Sequence, residues 1–278
     1  MTPRLAPPPH DVKPPTTPGY TEYAPSQTLR PFVECFWTRE LALPSARKAR
    51  PGAPEVHRVL PDGCIDVVLS FSGRTDEPES AMVVGTMTKA LVLNAAESPE
   101  CFVGVRFRPA KAAAFLSLPA SEITDLHVSL DDVWRDAADV RAALAVGSDA
   151  VARVCAFDRV LTSRLTPRAG DGQPDVDEAV RRIIEAGGSL GITRLAPALG
   201  VSRQHLARRF AQLVGVSPKV FARVVRLGRV IERARAVATD EPVNWSTLAL
   251  ELGYYDQSHL VDEFREMTGV TPTVWRSG

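Results

Sequence analysis

Leu206 and Phe210 stand four residues apart, so in a helix they share one face and turn inward together. Arg203, Gln204, Ala207, Arg208 and Ala211 are then left outward or on the flank. Arginine bonds guanine O6 and N7 bidentately, and glutamine does the same with adenine N6 and N7. That chemistry makes Arg208 and Gln204 candidate base readers, and Arg203 a candidate contact to phosphate or base. A second stretch has the same frame. Leu260 and Phe264 are four apart, with Gln257, Ser258, His259 and Asp262 as weaker candidates around them. A carboxylate such as Asp262 repels phosphate, yet it can accept a hydrogen bond from cytosine N4.

Both stretches sit in one repeated grammar. Leu195, Ala196 and Leu199 precede Gly200, and Ser202 then caps the helix that carries Leu206 and Phe210. Leu248, Ala249 and Leu252 precede Gly253, and Asp256 caps the helix that carries Leu260 and Phe264. Small Ala196 and Ala249 let the paired helices approach closely. After each second helix the chain repeats a further phrase, Gly215-Val216-Ser217-Pro218 and Gly269-Val270-Thr271-Pro272. A repeat of this detail at a spacing of about fifty residues predicts two helix-turn-helix units. Ser217 and Pro218 open the long helix that joins them, running to about Ala238. A helix from near Asp175 to Gly187 precedes the pair, and a short helix with Trp275 closes the chain. Pro197, within the first turn or so of its helix, is out of keeping and shifts where that helix begins.

Charge is distributed unevenly in a chain that has 33 bases, 33 acids and no net charge. Ile192–Arg235 holds ten bases against the single acid Glu232, a net +9. That concentration is an electrostatic footprint for phosphate. Ala236–Gly278 holds two bases and seven acids, a net −5. The first unit is therefore expected to supply most of the affinity. His205 reads as a packed or surface residue.

Through the phrases LGVSRQHLARRF and LALELGYYDQSHLVDEFREMTGVTPTVWR, residues 175–278 resemble the DNA-binding region of the AraC/XylS family of bacterial transcription regulators. The resemblance spans about a hundred residues. It implies that the second helix of each unit enters adjacent major-groove faces of an operator. By resemblance Gln204, Ala207 and Arg208 match base-facing positions, whereas Asp262 stands where many members carry a positive or neutral polar residue. Also implied are double-stranded DNA as partner, a small-molecule effector or a homodimer controlling it through the N-terminal half, and contact with RNA polymerase.

Tyr20 to about Leu165 mixes strand-like runs (Cys64–Phe71, Met82–Met87, Ala90–Asn94, Cys101–Phe107) with helical ones (Ala110–Leu118, Ser121–Leu126, Asp136–Val146, Asp149–Leu165). The fold class is thus an α+β N-terminal domain, a β-rich core plus helices, at 20–165. A Pro/Gly linker at 166–174 joins it to an all-α C-terminal domain at 175–278. Residues 1–19 hold seven prolines and read as a disordered tail, or else as a polyproline partner site.

Two phrases in the N-terminal half, LPDGCID at 60–66 and GVRFRP at 104–109, resemble an uncharacterised domain found ahead of such DNA-binding regions. Pro-Asp-Gly is by itself a turn that launches a strand. Asp66, inside an apolar run, invites an ion pair with Arg106 or Arg108, and the two arginines could equally hold an anionic effector. Cys64 and Cys101 are sensors of oxidants or metals, or inert buried thiols.

Four scattered cysteines, no signal peptide and no apolar run near the ~18 residues of a membrane span favour a reduced, cytoplasmic protein without membrane contact. His57, Asp62, Asp66 and His127 invite an enzyme reading, but no HxH, HExxH, GxSxG, GxGxxG or P-loop phrase accompanies them. Neither a cofactor, nor a metal, nor a catalytic residue is expected. The alternatives are a catalytic or sensor N-terminal domain carried to DNA, as in regulators that also repair alkylated DNA, and a scaffold whose helices contact only protein. A missing Pro-Cys-His-Arg phrase opposes the first, and the +9 segment the second.

Overall fold

The structure, a computed structural model, describes residues 12–13, 19–40, 56–72, 77–94, 101–147, 149–165, 174–238 and 241–277. Nine strands form two sheets among these residues. They are β1 (Val12–Lys13), β2 (Tyr20–Tyr23), β3 (Val33–Glu40), β4 (Val56–Val59), β5 (Ile65–Phe71), β6 (Ser80–Val84), β7 (Leu91–Asn94), β8 (Cys101–Phe107) and β9 (His127–Ser129). Seven join in the order β1-β2-β3-β8-β5-β6-β9, antiparallel at every pairing; β4 and β7 pair separately.

Alternation sorts the central strands into two faces. Ile65, Val67, Leu69 and Phe71 of β5 and Val103, Val105 and Phe107 of β8 are buried in one core. Three helices follow, α1 (Leu130–Val133), α2 (Ala137–Ala145) and α3 (Ala150–Arg164). Val140, Leu144, Val154, Phe157 and Leu161 from α2 and α3 close that core, with the ring centroids of Phe36 and Phe157 5.8 Å apart. The opposite face carries Trp37, Asp66 and Arg106. There Trp37 pairs in register with Gly104, and a Cβ on Gly104 would lie 2.3 Å from the indole. Gly104→Ala is therefore expected to displace Trp37 and cost about 1–3 kcal/mol of stability. A denaturation midpoint unchanged from the parent would refute that.

Some expectations for this half need correction. The alanine run read as a helix from Ala110 to Leu118 holds only a 3₁₀ turn at Ala112–Ala114. Ala110 leaves helical geometry at φ +68° and buries its side chain among residues of the C-terminal half, so tertiary packing overrides alanine's helix propensity. Ser121–Leu126 likewise holds a 3₁₀ turn, at Ala120–Glu122, and ends on Asp125 at φ +57°. In the proline-rich segment Val12 and Lys13 pair with Tyr23 and Glu22, since backbone pairing at a sheet edge needs no apolar side chain. Residues 1–11 and 14–18 of that segment and linker residues 166–173 lie outside the described residues.

The C-terminal half has seven helices among the described residues: α4 (Pro174–Glu185), α5 (Ile192–Ala198), α6 (Arg203–Val214), α7 (Pro218–Ala236), α8 (Trp245–Glu251), α9 (Gln257–Thr268) and α10 (Pro272–Ser277). Ser202, Ser217, Asn244 and Asp256 each accept a backbone N–H at the start of a helix, as expected of N-caps. Gly215 and Gly269 end α6 and α9 in the left-handed conformation, at φ +93° and +79°. Two clusters lie along α7. One gathers Val176, Ile183, Leu195, Leu206, Phe210 and Phe221; the other gathers Leu227, Ile231, Leu248, Leu260, Phe264 and Met267. Among the described residues no helix is long and apolar enough to cross a membrane.

Candidate nucleic-acid interface

The inward pair of each unit is sealed: Leu206, Phe210, Leu260 and Phe264 are at most 2% exposed. Arg203, Gln204, Ala207 and Arg208 are exposed on α6, and Gln257, Ser258, His259 and Asp262 on α9. Arg203 and Arg208 make no ion pair among the described residues. Arg209, half-buried one position on, has a partner of its own. His205 sits at the flank, its Nε2 3.3 Å from a carboxylate oxygen of Asp175. On α9 the Gln257 carbonyl oxygen accepts from Ser246, which leaves its amide N–H groups pointing onward. Asp262 accepts from Arg265 at 3.1 Å.

Two further exposed side chains stand nearby in sequence, Tyr255 without any role read from the sequence and Arg194 only as one of the ten bases. Tyr255, 87% exposed, immediately precedes the Asp256 cap of α9, and Arg194 is exposed on α5. The adjacent Tyr254 is buried and has the Arg226 guanidinium 4.4 Å from its ring centroid. Two consecutive tyrosines before a cap cannot both face inward, which was the available signal.

A family model described as a helix-turn-helix domain matches residues 195–278, the span of these two units. These residues are an AraC-type helix-turn-helix domain. Ahead of it, residues 21–129 match the domain of unknown function DUF6597. Among solved structures the chain is similar to ToxT from Vibrio cholerae, at 12% identity and a TM-score of 0.43 over 81% of this chain and 97% of that one. It is also similar to the xylose-binding transcription activator xylR, at 19% identity and a TM-score of 0.31 over 45% and 39%. Curated relatives include methionyl-tRNA formyltransferase of Mycobacterium tuberculosis, 27% identical over 77% of this chain and 70% of that protein. The Mycobacterium marinum enzyme is 28% identical over 75% and 67%. At that identity neither match transfers an activity.

The charge tally of the AraC-type domain changes once its pairs are seen. Glu263, 6% exposed at its side chain, accepts from Arg223 at 2.9 Å and from Arg226 at 2.9–3.2 Å. Glu266 accepts from Arg223, and Glu251 from Arg233. Three acids of the second unit thus neutralise three bases of α7. The excess of +9 is not a single phosphate-facing surface, because the bases exposed without an ion pair among the described residues are Arg194, Arg203, Arg208, Lys219 and Arg235, and Arg235 lies over the Trp275 ring. Three of the seven acids counted in Ala236–Gly278 face α7, which removes part of the repulsion expected of them.

In the N-terminal domain Asp66 and Arg106 are register partners on β5 and β8, and they form a two-point pair at 3.2 and 3.1 Å. Asp62 lies 3.1 Å from the same guanidinium, and Trp37 donates to Asp66. Burial opposes the charge on Arg106, and the two carboxylates more than offset it, so the guanidinium stays charged. Arg108 goes elsewhere, to the carbonyl of Arg30 and the carboxylate of Glu34. Asp66 and Arg106 are brought together and Arg108 is not. None of the three lines the cleft of about 440 Å³ beside β6 and β9, which is walled by Met82, His127, Ser129, Asp131 and Arg141 among others. Burial and then the charge of Arg39 push His57 down to about 4, so it is neutral near pH 7. Burial pushes the Cys64 and Cys101 thiols up, away from the reactive thiolate. Among the described residues no three His, Cys, Asp or Glu side chains gather closely enough to hold a metal ion.

Proposed function

We propose that this chain regulates transcription by reading a specific duplex sequence through α6 and α9. Arg203, Gln204, Ala207 and Arg208 supply most of the affinity, and Gln257, Ser258, His259 and Asp262 the lesser share. The observation that carries the reading is the exposed Arg203–Gln204–Arg208 flank, free of ion pairs among the described residues and backed by sealed Leu206 and Phe210. N-terminal residues of a recognition helix are the ones that meet base edges. Control enters through the N-terminal domain, from a small molecule or a second copy of the chain, and RNA polymerase is the further partner. No catalytic step is assigned. An anionic effector at Arg106 has to displace Asp62, whose side chain is 35% exposed against 13% for Asp66.

A salt series on a duplex selected from a random library by the full-length chain tests the reading. Arg194, Arg203, Arg208 and Lys219 predict that log K falls with log salt at a slope of about −4. A slope near zero, or no duplex enriched at all, would hand the surface to a protein partner instead.

A further inference from the structure

The C-terminal ends of both recognition helices rest on one short stretch of the N-terminal domain. Thr86 donates its hydroxyl hydrogen to the carbonyl of Val214, the last residue of α6. The backbone N–H of Ala90, four residues further on, donates to the carbonyl of Met267 in the last turn of α9 at 2.7 Å. Helix ends leave such carbonyls without intrahelical partners, so these bonds meet a real need. Thr124 adds a third, its hydroxyl donating to the carbonyl of Gly215.

The stretch 85–90 is itself tied down. Gly85 donates to the Leu126 carbonyl at 3.0 Å, and Asp125 donates its N–H to the Thr86 carbonyl at 3.1 Å. The Asp125 carboxylate takes both the N–H and the hydroxyl of Thr88 at 2.6 Å. Thr86 is fully buried. A Cβ on Gly215 would meet Thr86 at 3.0 Å and one on Gly85 would meet the Ile123 carbonyl oxygen at 1.7 Å, so there is little room for the segments to slide.

Within the helix-turn-helix domain, α6 and α9 belong to separate hydrophobic clusters strung along α7. Within the domain their common support is that helix and the ion pairs on it. The Cα atoms of Thr86 and Ala90 can be at most about 14 Å apart. Their bonds are to the ends opposite the base-reading residues, so the contact leaves Arg203, Arg208 and Gln257 uncovered.

We propose that the 85–90 stretch, with Thr124, acts as a gauge that sets how far apart and at what angle α6 and α9 meet DNA. Thr86, Ala90 and Thr124 are then positioning residues for spacing selectivity, although none of them touches DNA. This rests on the DNA-reading assignment made above.

The test measures spacing, not only affinity. A duplex selected by the wild-type full-length chain is footprinted, and one or two base pairs are added or removed between the two protected segments. Wild type is expected to lose at least about tenfold in affinity per added base pair, the scale of a lost base contact. Thr86→Val combined with Thr124→Val keeps shape and removes both hydroxyls; its loss per added base pair is expected to fall below about threefold. Ala90→Pro, which removes the N–H on the α9 side, is expected to relax spacing in the same way. The double serine variant, which keeps the hydroxyls, is expected to behave as wild type. Loss of folding alone would lower binding to all duplexes together and leave the spacing profile unchanged. An unchanged profile in folded valine and proline variants, or a wild type indifferent to spacing, overturns the gauge. Failure of the wild type to select any duplex overturns the DNA-reading assignment beneath it.

Discussion

Replacing Glu263 with alanine is expected to cost about 3–5 kcal/mol of folding stability, the usual cost of leaving buried charges without their partner. The carboxylate is 6% exposed and Arg226 14%, so water cannot take over when the carboxylate is gone. Arg223 keeps a second partner in Glu266, whereas Arg226 is left with the face of Tyr254. The loss falls on the junction between α7 and α9, which the second helix-turn-helix unit depends on. Glu266→Ala is the internal control. Its carboxylate is 57% exposed, and a surface pair of that kind is worth ~0–1 kcal/mol. Urea denaturation of both variants at neutral pH checks the contrast. Similar losses for the two, or a loss below about 1 kcal/mol for Glu263→Ala, would mean that the arginines reach solvent.

The same pair of acids shows where sequence reading succeeds and where it runs out. Helix starts in the C-terminal half were legible because local chemistry decides them: Ser202, Ser217, Asn244 and Asp256 cap where their types say they should. The outward set on α6 followed from the four-residue spacing of Leu206 and Phe210, which is equally local. Glu263 and Glu266 follow Asp262 in sequence, and nothing in that run tells which acid points to solvent and which at α7. Their partners Arg223 and Arg226 lie about forty residues away, a pairing only the tertiary fold creates. Summed charge therefore overstated the contrast between the two units.

In the N-terminal half β5 and β8 were readable as apolar runs, because both faces of these central strands are largely covered. By contrast β3 offered no such run, since Glu34, Arg39 and Glu40, all at least partly exposed, interrupt its apolar residues. The Asp66–Arg106 pair was open to inference from a charge inside an apolar run. The departure of Arg108 from it was not, because that residue lies past the strand end and turns to Arg30 and Glu34. The Pro-Asp-Gly turn launches β5 as expected. It also does something unforeseen: a Cβ on Gly63, at φ +81°, would lie 2.5 Å from the ring of Phe221, so the turn abuts α7.

Arg208→Ala carries the second large effect, and its form matters more than its size. The side chain leaves α6 two residues before Phe210 and four after Gln204, in the outer strip where a helix lying in the major groove meets base edges. Losing one bidentate contact is expected to cost about 1–3 kcal/mol on the selected duplex, roughly 5–150-fold in affinity. The loss should fall on one base pair. Duplexes altered at that position should bind the variant about as well as the selected one does, while discrimination elsewhere persists. Lys219→Ala removes an exposed charge from the first turn of α7 without touching a base. It should weaken every duplex alike and reduce the salt slope by about one. Binding titrations of both variants against single-base-pair substitutions separate the two patterns. If Arg208→Ala lowered affinity evenly across the set, the guanidinium would be a phosphate contact, and base reading on α6 would fall to Gln204 and Arg203, whose alanine variants would then have to show the position-specific loss.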